Sequence, residues 1–126
     1  MKPPGKDYTD AGIRVKVGAL IENAGCFPGS SVYTNLKMQA INLGLENVVR
    51  FLGVRKDVNR LYQAMDSFIM PSFFEGLPVT GVEAQASGLN CYFSDSITKE
   101  VSLTDRAHFI SLNKPANEWA EEIINE

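Results

Sequence analysis

Two glutamates, Glu75 and Glu83, stand eight positions apart in the stretch FFEGLPVTGVEAQASG, residues 73–88. Glu75 lies in a segment marked by glycine and proline, which is typical of a loop, and Glu83 lies in an apolar run with helical spacing. A carboxylate accepts hydrogen bonds from a vicinal diol such as that of ribose, as acidic residues do in dinucleotide sites. Glu83 is therefore a candidate ligand of a ribose, and Glu75 a candidate ligand of the group beyond it.

The residues between the two glutamates are suited to phosphate. A helix that begins near Pro78 presents unpaired backbone N–H groups and a partial positive charge, which together attract an anion. Gly76 lets the backbone approach a ligand closely, and Thr80 adds a hydroxyl group. A nucleoside, a diphosphate and a hydroxyl-rich group are the parts of a nucleotide sugar. The competing interpretation is that the two acids only favour the helix macrodipole, and spacing alone favours this second interpretation.

Composition indicates one globular domain and excludes several other classes of protein. The chain has 126 residues and a net charge of −3, so its charge gives no reason to expect nucleic-acid binding. Cys26 and Cys91 each lack a neighbouring cysteine or histidine, so we expect neither a disulfide framework nor a metal site, and a reducing cytoplasm is the default compartment. No apolar run reaches membrane-spanning length, and the opening MKPPGKDYTDAG is not a signal peptide, which leaves peripheral membrane association open.

Short apolar runs alternate with amphipathic stretches along most of the chain. The apolar runs predict strands near residues 13–20, 48–52, 67–70, 90–94 and 107–112. The amphipathic stretches predict helices from 32 to 44, from the N-cap Asp57 onward, from Pro78 to Gly88 and after Lys114. This alternation predicts an α/β fold in which a parallel sheet carries helices on both faces. Ligands of such sheets bind beyond the carboxyl ends of the strands, where the loop with Glu75 lies.

Each predicted helix has an apolar face that we expect to point inward. These faces consist of Leu36, Ala40 and Leu43 in the first helix, Val58, Leu61, Tyr62 and Met65 in the second, Val79, Val82 and Ala86 in the third, and Trp119, Ile123 and Ile124 in the last. Cys91 and His108 fall within predicted strands, where packing is the simpler interpretation of both. The pair Phe73–Phe74 either shields a ligand or packs within its loop, and packing within the loop is again the simpler alternative.

A longer stretch resembles a known family. The residues FLGVRKDVNRLYQAMDSFIMPSFFEGLPVTGVEAQASGLNCYFSD are similar to the C-terminal donor-binding domain of retaining family-4, or group 1, glycosyltransferases. Those enzymes have two Rossmann-like domains, the GT-B architecture. Glu75 and Glu83 match the E-x7-E signature of the family, and Pro71–Ser72 and Ser94–Asp95 match its flanking strand ends. The resemblance covers residues 32–126, and the segment SITKEVSLTDRAHFISL further resembles bacterial enzymes of exopolysaccharide and capsule assembly.

The resemblance implies a role for each matching residue. Glu83 would bind the ribose hydroxyls of the donor, and Glu75 would be the catalytic-site residue that contacts the transferred sugar. The backbone of Gly76, Leu77, Pro78, Val79 and Thr80 would contact the sugar and the diphosphate. Val54 and Arg55 would border the base. The family uses no metal or other cofactor, because basic side chains and the helix end neutralise the diphosphate.

The resemblance also implies partners and a location. The donor would be a nucleotide sugar, with a UDP-sugar expected, and the product would be a hexosyl unit joined to a lipid-linked or saccharide acceptor. That acceptor would be bound by an N-terminal domain for which this chain has no counterpart. The whole enzyme would be cytoplasmic and peripheral to the inner face of the membrane. We therefore expect the chain to be a fragment that is inactive by itself.

Residues 1–31 depart from the family pattern. The family carries an Arg/Lys pair for the diphosphate in an early loop, and here only Lys6, Arg14 and Lys16 are candidates for it. The sequence GCFPGSS replaces the usual glycine-rich strand end, and only turn signals occur around Pro28. The alternative function is a non-catalytic doubly wound module such as a receiver-like domain. Only Asp95 supplies an acid at a predicted strand end for that alternative, and neither a Walker lysine loop nor G-x-G-x-x-G occurs.

Overall fold

The computed structural model describes the backbone of residues 17–19 and the residues from 29 to 125. The described residues form two compact units. The larger unit comprises residues 17–19 and 59–125, and the smaller unit comprises residues 29–58. The structure around Pro28, the three candidate cations Lys6, Arg14 and Lys16, and Cys26 lie outside the described residues.

A parallel sheet of four strands forms the centre of the larger unit. The strands are β1 (Val17–Ala19), β2 (Ser67–Met70), β3 (Asn90–Ser94) and β4 (Ala107–Ile110), and they lie side by side in that order. In the register of the sheet, Phe68 lies opposite Cys91, and Tyr92 lies opposite His108. The predicted parallel α/β fold is confirmed, with strands at four of the five predicted places.

Helices cover both faces of this sheet. Helix α3 (Val79–Ala86) packs on the face that carries Phe93, and helix α4 (Ala116–Ile124) packs through Trp119 on the face that carries Tyr92. Successive side chains of a strand point to opposite faces, so these neighbours in β3 anchor two separate cores. The continuous apolar runs SFIM and NCYFS fit strands that are buried on both sides.

The inward face of α3 differs from the predicted one. We predicted Val79, Val82 and Ala86, but Val79 is 64% exposed and Ala86 is exposed as well. The buried residues are Gly81, Ala84 and Gln85. A Cβ atom at position 81 would stand 2.7 Å from Cε1 of Phe93, so the helix lies too close to the sheet for larger side chains at this point. Hydrophobicity alone therefore indicated the wrong face.

The other helices of the larger unit follow the predictions more closely. Helix α2 (Val58–Tyr62), which begins at the boundary between the units, is short and buries Tyr62. In α4 the indole of Trp119 is buried and donates to the carbonyl oxygen of Ser111 at 3.0 Å. Ile123 is partly buried as predicted, whereas Ile124 is 42% exposed, so its predicted inward position is wrong. A 3-10 helix at Lys99–Val101 follows β3, within the segment that separates β3 from β4.

Helix α1 (Val32–Asn42) belongs to the smaller unit. The hydroxyl of Ser31 caps its start by accepting from the Thr34 N–H at 3.1 Å, and the chain leaves the helix at Gly44 with a φ of 69°. The predicted end is therefore confirmed, since a positive φ favours glycine. Ala40 is buried as predicted, but Leu43 is 60% exposed. Asn35 is buried instead, and its amide donates to the carbonyl oxygen of Ser31 at 3.0 Å.

The predicted strand at residues 48–52 is wrong. The N–H groups of Val48 and Val49 both donate to the carbonyl oxygen of Leu45, at 2.9 and 2.8 Å, and so form a turn. Val48 is 73% exposed. A β-branched run favours a strand only where a neighbouring strand takes up its backbone hydrogen bonds, and here a turn takes them up locally.

Asp57 stands directly before α2, at the predicted N-cap position, but its side chain does not cap the helix. Both carboxylate oxygens of Asp57 accept from the guanidinium of Arg55, at 2.9 and 2.8 Å, instead of capping α2. This hydrogen-bonded charge pair lowers the pKa of Asp57 and raises that of Arg55. The charge of Arg55 is therefore balanced within its own loop.

Candidate functional site

The loop after β2, residues 71–78, begins at the carboxyl edge of the sheet. The fully buried hydroxyl of Ser94, the last residue of β3, donates to the carbonyl oxygen of Ser72. Next to it, the carboxylate of Asp95 accepts from the backbone N–H of Leu112 at 3.3 Å. These two contacts hold together the segments that follow β2, β3 and β4. The two matched strand ends therefore brace the edge from which the loop with Glu75 begins.

The start of α3 offers backbone N–H groups to an anion. Pro78 is its N-cap residue, and the side chain of Pro78 makes no capping hydrogen bond. The N–H groups of Gly81 and Val82 already donate to the carbonyl oxygen of Pro78, at 3.0 and 3.2 Å. Those of Val79 and Thr80 have no acceptor among the residues that the structure describes. Two donors and the positive end of the helix dipole thus remain available at this point.

Glu83 lies in the second turn of α3, and its carboxylate is held by a tyrosine. The hydroxyl of Tyr62 donates to Oε2 of Glu83 at 3.2 Å. Tyr62 is only 2% exposed, whereas Glu83 reaches the surface. Burial raises the pKa of Tyr62 to about 12, and the negative charge of Glu83 adds to this shift. The tyrosine therefore keeps its proton at neutral pH and acts as the donor.

Glu75 is half-buried in the loop before α3. Its carboxylate has neither a hydrogen bond nor an ion pair with any residue in the described part of the chain. Its neighbours Phe73 and Phe74 are each 84% exposed. The prediction that these two rings pack within their loop is therefore wrong, because loop packing would have buried them.

The position of Glu83 does not fit the interpretation that this acid serves the helix macrodipole. The first turn of α3 contains no acidic residue. The effect of the dipole on a charge falls off within that turn, and Glu83 lies beyond it. Glu83 instead accepts from Tyr62, and Glu75 precedes the helix.

The larger unit contains seven of the predicted site residues, all in the loop and in the first two turns of α3: Glu75, Gly76, Leu77, Pro78, Val79, Thr80 and Glu83. Val54 and Arg55 belong to the smaller unit. Val54 is fully exposed, and Arg55 is paired with Asp57.

The sequence did not indicate the polar contacts that two residues near the site make. Tyr62 was predicted only as part of an apolar helix face, and its hydroxyl was the one sign of a second role. Gln85 is buried, and its amide bonds both to α3 and to the segment around Val101. Its only signal in the sequence is a lone amide in the small-residue run EAQASG.

The described residues contain neither a candidate metal site nor a candidate membrane-spanning helix. No three His, Cys, Asp or Glu side chains among them converge closely enough to hold a metal ion. None of the helices at residues 29–125 combines the length and the apolar character needed to cross a bilayer.

Residues 24–125 match the family model for glycosyl transferases of group 1. This chain belongs to the group 1 glycosyltransferases. The group 1 domain is 45% identical over 92 residues to a putative glycosyltransferase, EpsF, of Bacillus subtilis, an alignment that covers 70% of this chain and 23% of that protein. The match to glycosyltransferases disfavours the receiver-like alternative.

Two further relatives carry more specific names. One is the UDP-Gal:alpha-D-GlcNAc-diphosphoundecaprenol alpha-1,3-galactosyltransferase of Escherichia coli, 37% identical over 43% of this chain and 14% of that protein. The other is the N,N'-diacetylbacillosaminyl-diphospho-undecaprenol alpha-1,3-N-acetylgalactosaminyltransferase of Campylobacter jejuni, 36% identical over 64% of this chain and 18% of that protein. The group 1 domain described here spans less than a quarter of the length of each of these three relatives.

Proposed function

We propose that this domain binds the nucleotide-sugar donor of a retaining glycosyltransferase that builds cell-surface polysaccharide. The donor is a UDP-sugar, and a hexosyl unit passes from it to a lipid-linked acceptor. The observation that carries the proposal is the position of the Glu83 carboxylate, which accepts from Tyr62 at 3.2 Å. It lies on the same helix as the N–H groups of Val79 and Thr80, which have no acceptor within residues 29–125. This arrangement supports the proposal, in which Glu83 accepts from the ribose diol and the N–H groups at the start of α3 donate to the diphosphate.

The names of the relatives support the choice of substrates. The Escherichia coli relative is named for a UDP-linked galactose donor, and both it and the Campylobacter jejuni relative are named for acceptors on a diphosphate-linked undecaprenol. A UDP-sugar donor and a polyprenyl-linked acceptor are therefore the substrates that we assign to the complete enzyme. Association with the inner face of the membrane follows from such an acceptor.

Each part of the donor has a proposed partner. The ribose hydroxyls bind Glu83, the diphosphate binds the N–H groups at the start of α3, and the transferred sugar meets Glu75. The helix end stabilises the negative charge that develops on the diphosphate as it leaves, and the fixed loop holds the reacting carbon near the acceptor hydroxyl. The roles of Val54 and Arg55 at the base rest on the family resemblance alone.

The glutamates can be tested separately because they serve different parts of the donor. Glu83→Gln should weaken the binding of UDP and of UDP-sugars alike, by roughly ten- to a hundredfold, since a charge-assisted hydrogen bond is lost. Glu75→Gln should leave the affinity for UDP nearly unchanged, because UDP carries no sugar beyond the diphosphate. Glu121→Gln removes a surface carboxylate from α4 and serves as the matched control.

Ligand titrations followed by NMR are suited to this test. We expect the 126-residue chain to bind UDP no more tightly than roughly millimolar, where the binding free energy is about −4 kcal/mol. We expect no glycosyl transfer by this chain alone, because positioning both substrates supplies much of the rate. Equal effects of the two substitutions on UDP affinity would rule out the division of roles. If neither substitution changes the affinity for UDP or a UDP-sugar by more than Glu121→Gln does, Glu75 and Glu83 have no role in donor binding.

A further inference from the structure

Tyr62 is buried, and its hydroxyl donates to the carboxylate of Glu83, which is exposed. We propose that Tyr62 is a positioning residue, whose hydroxyl orients the Glu83 carboxylate for the ribose diol of the donor. This inference rests on the function proposed above, in which Glu83 binds that diol. It gives a role in donor binding to a residue that itself touches no ligand.

The tyrosine ring is fixed by the core of the larger unit. Tyr62 is the last residue of α2, is 2% exposed, and packs edge-on against Phe68 with ring centroids 6.2 Å apart at 72°. Its hydroxyl is therefore held at one place. From there it reaches Glu83, 21 positions later in the chain, at 3.2 Å.

The hydrogen bond leaves one oxygen of Glu83 for a ligand. Oε2 accepts from Tyr62, and nothing in the described part of the chain donates to Oε1. A glutamate at the surface of a helix samples several staggered rotamers when nothing holds it. The tyrosine restricts that freedom before the ligand arrives, and such preorganisation lowers the cost of binding.

The direction of the hydrogen bond determines what the tyrosine can do. Because Tyr62 is protonated, it can only donate to the carboxylate, so Glu83 retains its capacity to accept from sugar hydroxyls. Since Tyr62 is buried, the effect of removing its hydroxyl must pass through Glu83. Removal of the hydroxyl should therefore weaken the binding only of ligands that carry the diol.

The test compares two ligands and two tyrosines. Tyr62→Phe keeps the ring that packs on Phe68 and removes only the hydroxyl. We expect it to weaken UDP binding by about three- to tenfold, the effect of one hydrogen bond, and to leave the affinity for the dideoxy analogue of UDP unchanged. Tyr92→Phe removes the hydroxyl of another buried tyrosine, on the opposite face of the sheet, and should change neither affinity. NMR titration measures the affinity of each of the two variants for each of the two ligands. Circular dichroism establishes that each variant is folded.

A double substitution adds a second readout. If Tyr62 acts through Glu83, adding Tyr62→Phe to Glu83→Gln should lower UDP affinity far less than Tyr62→Phe does alone. Suppose that the wild type binds UDP more tightly than the dideoxy analogue and that Tyr62→Phe leaves the ratio of the two affinities unchanged. The proposed role of Tyr62 is then refuted, while the proposed function of Glu83 stands. If the wild type binds both ligands equally or binds neither, the diol site at Glu83 is refuted, and Tyr62 with it.

Discussion

The side-chain nitrogen of Gln85 lies 2.7 Å from the backbone oxygen of Val101, and this contact ties helix α3 to the 3-10 helix at Lys99–Val101. The same nitrogen donates to the carbonyl oxygen of Gly81 at 3.1 Å. The side-chain oxygen accepts from the N–H groups of Leu103 and Thr104 and from the hydroxyl of Thr104, all at 3.1 Å. One buried amide thus satisfies five polar groups and holds the helix of the candidate site against the segment that leads to β4.

Replacing Gln85 by Leu should destabilise the chain. The substitution keeps much of the volume of the side chain but leaves the backbone groups around Val101 and Thr104 without their partner. Buried polar groups that lose a partner cost about 1–3 kcal/mol each, so we expect the free energy of unfolding to fall by about 2–3 kcal/mol after partial rehydration. Urea denaturation followed by circular dichroism measures this change.

The matched control for that substitution is Gln63→Leu. Gln63 is exposed, so the same chemical change there should alter the free energy of unfolding by no more than about 0.5 kcal/mol. An equal loss in both variants would mean that the network around Gln85 adds nothing to stability.

Gly81→Ala tests the close approach of α3 to the sheet. Alanine is the better helix former by about 1 kcal/mol. Its Cβ would nevertheless stand 2.7 Å from Cε1 of Phe93 and 3.2 Å from a methyl carbon of Val101, and both of these side chains are fully buried. Overpacking should win, and we expect the free energy of unfolding to fall by about 1–2 kcal/mol, measured by thermal or urea unfolding.

Gly76→Ala is the control for Gly81→Ala. A Cβ at Gly76 meets no atom within 4 Å, so its substitution should leave stability nearly unchanged. A stabilised Gly81→Ala variant would show that the helix can move away from Phe93 at no cost, against the packing described above.

Cys91 should be chemically inert in the folded protein. Its thiol is fully buried, and burial raises its pKa from 9.0 to about 12. The reactive thiolate is therefore scarce and inaccessible at pH 8. Iodoacetamide should modify the peptide that contains Cys91 only after a denaturant is added, as measured by mass spectrometry. Equal rates of labelling with and without denaturant would contradict the burial of this strand.

The same shift predicts a pH dependence of stability. The folded state disfavours the thiolate, because burial raises the pKa of Cys91 from 9.0 to about 12. The stability that the buried thiol contributes is therefore complete below pH 9.0, the pKa in the unfolded state. It is lost as the pH rises toward about 12, because the unfolded state then releases the proton first. The difference in free energy of unfolding between the wild type and Cys91→Ala should be constant below pH 9 and should move in favour of the variant above it. Denaturation at several pH values measures the difference, and a difference independent of pH up to 11 would refute the shift.

Much of the fold could be read from local patterns. The runs SFIM, NCYFS and AHFISL are mostly apolar, rich in aromatic or β-branched residues and bounded by turn residues. They predicted β2 and β3 correctly, and only the end of β4 was misplaced. Pro78 and Gly88 bracket α3 for a similarly local reason, since proline cannot donate to the preceding turn and glycine adopts a positive φ of 82° at the exit.

The errors arose where the outcome depended on distant residues. Val48 and Val49 have strand propensity, but no local rule says whether a neighbouring strand will take their N–H groups, and Leu45 takes them instead. The inward face of α3 was predicted from hydrophobicity, whereas the short distance to Phe93 selects the smallest residue, Gly81.

The sequence alone was enough to predict most strands and helices of the larger unit and to place Glu75 before α3 and Glu83 within it. The family was indicated by the resemblance of residues 51–95 to its motifs. The strands and helices follow from propensity and side-chain periodicity, which depend on neighbouring residues in the chain. The contact of Tyr62 with Glu83 and that of Gln85 with the segment around Val101 became visible only in the folded chain. Both contacts join residues at least sixteen positions apart, so each depends on the way the sheet brings separate elements together.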